Sequence, residues 1–100
     1  MKTTFKEENN DYVMYFEGRL DTTTAAQVQQ EVQPLINNTE HDIILDCTQM
    51  EYISSSGLRI FLSILKSAKA NNRHVYIRGL NNNLRQVFSM TGFINLFEFK

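Results

Sequence analysis

The sequence predicts an α/β layer fold. It should hold a mixed β-sheet, with an N-terminal antiparallel hairpin and a mainly parallel remainder, packed with helices in the order β-β-α-β-α-β-α-β. Three observations carry this. Two β-rich runs at the start, "TTFKEE" and "YVMYFEGRL", are separated only by "NND", residues that suit a tight reversal. Downstream, short apolar β-like runs alternate with stretches of helical periodicity. A helix placed between successive strands makes a crossover, and crossovers join parallel strands.

Taken in order, residues 3–8 and 11–18 form the hairpin, and Gly18 ends it. In "DTTTAAQVQQEVQPLINN", Val28, Val32, Leu35 and Ile36 fall on one face of a helix. Thr24 followed three residues later by Gln27 has the form of a capping box, in which the threonine oxygen accepts from early helix N–H groups. Pro34 removes one backbone donor and crowds the preceding turn, which predicts a kink or an early end there. Asn37 and Asn38 close the segment.

"HDIILDC" contains a short apolar run, Ile43 to Leu45, of the kind found in a strand covered on both faces. Residues 48–55 read as a loop. "SGLRIFLSILKSAKANN" is a strong helix, with Leu58, Phe61, Leu62, Leu65 and Ala68 on one face and Ile60 and Ile64 widening it. "HVYIRGL" is a further strand. "NNLRQVFSMTG" is a helix with Leu84, Val87 and Phe88 inward and Gly92 as its C-terminal cap. "LFEFK" is the last strand.

Length and composition set limits on function. One hundred residues is one small domain, residues 1–100, with one compact core. A net charge of −1 gives no electrostatic case for nucleic acid or an acidic membrane surface. Cys47 is the single cysteine, so no internal disulfide forms, which suits a reducing compartment. No apolar stretch reads as a signal peptide or a membrane span. The expected location is the cytoplasm.

The chemistry-bearing candidates are few. Ser54, Ser55, Ser56 and Gly57 stand where a helix begins. They read either as helix caps, a serine oxygen satisfying an orphan N–H, or as a place that tolerates an anion. Such a helix start also accommodates a phosphate, which adds about −1.5 to −2 charges. A serine nucleophile is disfavoured. The G-x-S-x-G elbow lacks its first glycine in "SSSGL". His41 and His74 precede strands and so belong to the opposite edge of the sheet from the serines. Asp21 follows a strand end, as the serine loop does, and reads as a cap or as a carboxylate near that loop. Asp46 reads as a loop anchor. Lys66, Lys69, Arg73 and Arg78 read as a solvated face, and no cluster has metal-ligand spacing. No cofactor is expected.

"GRLDTTTA", "IILDCTQMEYISSSGLRIFLSILKSAKANNRHVYIRG" and "NLRQVFSMTGFINLFEF" together resemble the STAS domain, named for sulfate transporters and anti-sigma factor antagonists. The likeness is stronger to the free-standing bacterial antagonists. The resemblance implies a STAS-like mixed sheet and a role in partner switching. The unphosphorylated domain would bind an anti-sigma factor that is itself an ATP-dependent serine kinase. Phosphorylation would release it, and a separate protein serine phosphatase would reset it. The chain would be substrate and ligand, not an enzyme. The residue before the family's glycine is its phosphoacceptor, and here that is Ser56. Ser55 matches the neighbouring serine, and Asp21 the aspartate of the Gly-x-Leu-Asp stretch associated with partner contact. Ser54, Gly57 and Leu58 complete the expected partner-binding set. The family usually has aspartate where this chain has Ser54, so one negative charge is absent and a second hydroxyl is present. Many members carry a further helix after the final strand, so one flank of the sheet is expected to be open or covered by a partner. The alternative is a non-phosphorylated scaffold of the same fold in a larger signalling assembly, with the serines serving only as caps.

Overall fold

The computed structural model describes residues 1–100. Strands β1 (Lys2–Glu8), β2 (Asp11–Leu20), β3 (Ile43–Ile53), β4 (Val75–Arg78) and β5 (Glu98–Phe99) form one sheet in the spatial order 1-2-3-4-5. Only the β1–β2 pair is antiparallel. Helices α1 (Ala25–Glu31), α2 (Gln33–Ile36), α3 (Ser55–Ala70) and α4 (Asn82–Met90) fill the crossovers, and a 3-10 turn (Phe93–Asn95) leads into β5. The element order and the strand directions are those expected.

The hairpin turns on Asn9 and Asn10, both in left-handed conformation with φ of 51° and 70°. Asparagine tolerates that region, and two such residues make the turn whose twist matches the flanking strands. Gly18 does not end β2, contrary to the expectation. It takes φ of 97° at a register irregularity, and the strand runs on to Leu20. Pro34 does interrupt its helix: α1 stops at Glu31, and the proline occupies the first turn of α2, where its missing N–H has no bond to lose. The capping box at Thr24 is absent, since that side chain caps no helix N–H. It instead accepts from Asp21 N–H at 3.0 Å.

A larger departure from expectation lies in β3. Residues 48–53 are strand, not loop. Against β2, β3 carries two register shifts, opposite Tyr15–Glu17 and Gly18–Arg19. Each is a bulge with an extra residue on β3. The inward positions of β3 therefore run Ile43, Leu45, Cys47, then Met50 and Ile53.

Alternate strand residues enter one cluster of 22 buried residues together with the inner faces of all four helices, so the helices lie on one side of the sheet. Phe61 sits at its middle, with ring centroids 5.2 Å from Phe16, 6.3 Å from Phe88 and 6.4 Å from Phe97. Aromatic packing of this kind contributes beyond the area it buries. The reverse side of the sheet carries no helix and presents Lys6, Tyr15, Asp46 and Arg78.

Candidate functional site

The site lies at the carboxyl ends of β2 and β3. Leu20 pairs with Ile53 in the parallel register, and both side chains are buried. The next residue on each strand begins a loop. The N–H of Ser54 donates to the carbonyl of Leu20 at 2.8 Å. That bond holds the serine row beside the Asp21 turn, as the strand order led us to expect.

Ser54 is extended (φ −92°, ψ 175°) and is the N-cap of α3, its Oγ accepting from Gly57 N–H at 3.3 Å. Its own carbonyl accepts the first helical bond, from Leu58 N–H at 2.9 Å. Ser55 and Ser56 are the first two helical residues, with Ser55 exposed and Ser56 half-buried. The Ser56 hydroxyl makes no hydrogen bond within the protein, whereas Ser54's is engaged. Both residues stand at the N-terminal end of a 16-residue helix, where the partial positive charge and orphan N–H groups of the helix lie.

Gly57 and Leu58 lie beneath this surface. A Cβ at residue 57 would stand 2.7 Å from Ile53 Cγ1 and 2.7 Å from Leu20 Cγ, so only glycine lets the helix start approach the strand ends this closely. Leu58 is 6% exposed and belongs to the core. These two residues seat the helix rather than face outward.

Asp21 is half-buried and organises its own turn. Its Oδ1 accepts from Thr23 N–H at 3.0 Å, Thr23 Oγ1 at 2.7 Å and Thr24 N–H at 3.2 Å. The Thr23 hydroxyl bond, with the Thr24 and Thr23 N–H groups, holds the carboxyl below its ordinary value against the opposing effect of burial. The other oxygen, Oδ2, is 3.9 Å from Arg19 Nε. Arg19 in turn lies over the ring of Tyr52, 4.3 Å from its centroid, a favourable cation–π arrangement. Tyr52 is 39% exposed. Arg19 and Tyr52 were not among the sequence candidates. They become visible as neighbours only once β3 is seen to continue to Ile53, which pairs Arg19 with Tyr52.

The histidines stand apart from the serines. His41 Nδ1 is 2.8 Å from the Asn10 carbonyl and its ring stacks on Tyr12, while His74 Nδ1 is 2.7 Å from Glu98 Oε2. Both lie at the amino ends of β3 and β4, so no imidazole serves the serine row as a base.

Asp46 is buried on the reverse face of the sheet. It accepts from Thr48 N–H at 3.0 Å and from Arg78 Nε at 2.7 Å. Burial pushes its carboxyl up, but the Thr48 N–H and the Arg78 guanidinium more than offset this and leave it below the ordinary value. Arg78 therefore does not belong to a solvated basic face, as the sequence reading had it. It bridges Asp46 and the Tyr15 hydroxyl, which is 3.3 Å from its Nη2. Cys47 is fully buried, and burial, with the Asp46 charge, pushes its thiol far up. No helix is long and apolar enough to cross a membrane.

One mixed sheet, all helices on a single side and a serine-capped helix at the carboxyl ends of two parallel strands define a single-sheet α/β domain. The chain belongs to the STAS domain family, which matches residues 2–100. It is 27% identical over 97 residues to BtrV of Bordetella bronchiseptica, a protein named an anti-sigma factor antagonist, and the match spans 97% of this chain and 84% of BtrV. The solved structure of a Thermotoga maritima protein named as an anti-sigma factor antagonist is similar with a TM-score of 0.88 at 19% identity, covering 97% of this chain and 84% of that one. Bacillus SpoIIAA in its phosphorylated form is similar with a TM-score of 0.74 at 17% identity, covering 99% and 91%.

Proposed function

We propose that this protein is an anti-sigma factor antagonist whose docking surface is switched by phosphorylation of Ser56. In this reading the unmodified serine row, with Asp21, binds an anti-sigma factor that is also a serine kinase. The kinase transfers the γ-phosphoryl group of ATP to Ser56 Oγ, ADP leaves, and the hydroxyl proton passes to solvent or base. A protein serine phosphatase hydrolyses the ester and restores the hydroxyl. The chain is ligand and substrate in this cycle, without catalytic residues of its own. It works in the cytoplasm, where ATP is available.

The observation that carries the reading is the contrast between two hydroxyls two residues apart. Ser54's is occupied as a helix cap, and that of Ser56, a half-buried residue, makes no hydrogen bond within the protein. A helix start accommodates the resulting dianion without unfolding the domain. A partner docked on the neutral surface does not accommodate it so easily, because a misplaced interfacial charge costs several kcal/mol. The name of BtrV and the solved phosphorylated form of SpoIIAA support the same assignment. Ser55 and Asp21 Oδ2 are the further contact atoms, and Gly57 and Leu58 contribute by holding the helix in place.

The test is incubation with the cognate kinase and ATP, followed by mapping of the phosphate by mass spectrometry. One phosphate on Ser56 is the expected result. Phosphate on Ser54 or Ser55 moves the acceptor. None at all, with binding retained, leaves the domain a scaffold in a signalling assembly. In pull-downs Ser56→Ala retains the partner and Ser56→Asp loses it, and equal capture by both removes the switch.

A further inference from the structure

We propose that the outer edge of β1 is a pairing surface for a second copy of this chain. Two β1 strands would lie antiparallel about a twofold axis at Phe5, joining two sheets into one. The inference stands on the strand edge alone and is independent of the serine row.

The two edges of the sheet differ. β5 is two residues long, and a short edge strand offers little to pair with. β1 is seven residues long, contains no proline and pairs with β2 from Lys2 to Glu8 without a register shift. The irregularities of the sheet are on the other side of β2. β1 therefore presents a long, regular row of backbone groups to solvent, the arrangement that proteins ordinarily shorten, bend or cover.

The sequence of β1, "KTTFKEE", is self-complementary when reversed about Phe5. Lys2 then faces Glu8 of the second copy, Thr3 faces Glu7, Thr4 faces Lys6, and Phe5 faces Phe5. No like charges oppose one another, and opposite charges meet at both ends of the ladder, where Lys2 also lies 3.9 Å from Glu17 of its own chain and Glu8 also accepts from the Tyr15 hydroxyl and lies 3.9 Å from Arg78. Pairing centred on Thr4 or Lys6 would instead set lysine against lysine. Phe5 is 42% exposed, and the twofold covers it with its own symmetry mate. Because β1 reverses direction across the axis, so does β2. The two serine rows then lie at opposite ends of the joined sheet, each open to its own partner.

The experiment uses the full chain. Sedimentation of the wild type should show a weight-average mass that rises with concentration towards that of a dimer. Lys2→Glu sets a new glutamate against Glu8 of the second copy. Glu8→Lys sets a new lysine against Lys2. Each variant alone should therefore be monomeric. An equimolar mixture of the two restores complementarity at both ends and should dimerise. With diamide added as the oxidant that takes up the two electrons and two protons of the thiol pair, a Phe5→Cys variant should form a disulfide-linked dimer about tenfold or more faster than a Thr23→Cys control, because pairing raises the local thiol concentration. The native Cys47 is buried and does not compete. A wild type that stays monomeric up to its solubility limit overturns the proposal. So does a mixture no more associated than its components, or a Phe5→Cys variant that crosslinks no faster than the control.

Discussion

The Ser54 N–H donates to the Leu20 carbonyl at 2.8 Å, and this one bond ties the start of α3 to the start of the Asp21 turn. Everything in the candidate site follows from it. It sets the serine row against the end of β2 and closes the ladder between the two strands at the point where both chains leave the sheet.

Gly57 makes that approach possible, so Gly57→Ala tests it. The added methyl meets Ile53 and Leu20 at 2.7 Å each, and the helix start must shift. The expected loss is about 1–3 kcal/mol, the usual cost of overpacking a filled site. Alanine is the better helix former, so a neutral or stabilising result in urea unfolding would contradict the tight packing.

Ser54 and Ser56 should separate cleanly in stability measurements. Ser54→Ala removes the acceptor for Gly57 N–H and should cost about 1 kcal/mol. Ser56→Ala removes no hydrogen bond and should stay within about 0.5 kcal/mol of the wild type. Chemical unfolding midpoints decide, and the reverse order would exchange the two roles.

The Asp21 carboxyl is held below its ordinary value of 3.8, first by the Thr23 hydroxyl. A depressed carboxyl contributes stability above its unfolded pKa and loses that contribution as pH falls through the native value. Asp21→Asn removes this titration. The wild type should exceed the variant in stability at neutral pH, and the gap should narrow as pH falls below 3.8. Urea midpoints across that range are the measurement, and a gap that widens in acid would refute the assignment. Asp46 titrates with the same sign, but it is present in both proteins and cancels.

Cys47 is fully buried and its thiol is pushed far above the ordinary value by burial. A thiol reagent such as Ellman's should label the native protein about a thousandfold or more slowly than the unfolded chain, in step with the small population that opens. Rapid labelling of the native state would show that the core around β3 is looser than the packing implies.

Much of the fold is written in local signals. The asparagine turn, the apolar stripe of α3 from Leu58 to Ala68 and the interruption at Pro34 all depend on residues close in sequence, and the structure has each of them. The misreadings have separate causes. Residues 48–53 look like a loop because the inward positions after Cys47 fall every third residue, at Met50 and Ile53, instead of every second. That spacing reflects bulges against β2, a strand more than twenty residues earlier in the chain, and nothing local encodes it. Thr24 matched a capping pattern, yet Asp21, three residues ahead, bonds the threonine N–H groups itself. Of the site, the serine row and Asp21 were legible as residue types at element boundaries. The Arg19–Tyr52 pair was not, because it exists only across the β2–β3 register.

The bulges also decide how far the chain travels. Between paired ends, β2 runs from Tyr12 to Leu20 while β3 runs from Ile43 to Ile53, two residues more over the same span. Had β3 been a plain strand, those two residues would carry its end about 7 Å past Leu20, and the three serines would overhang Asp21 instead of standing level with it. A deletion that straightened β3 would leave every residue of the site in the chain and dissolve their alignment.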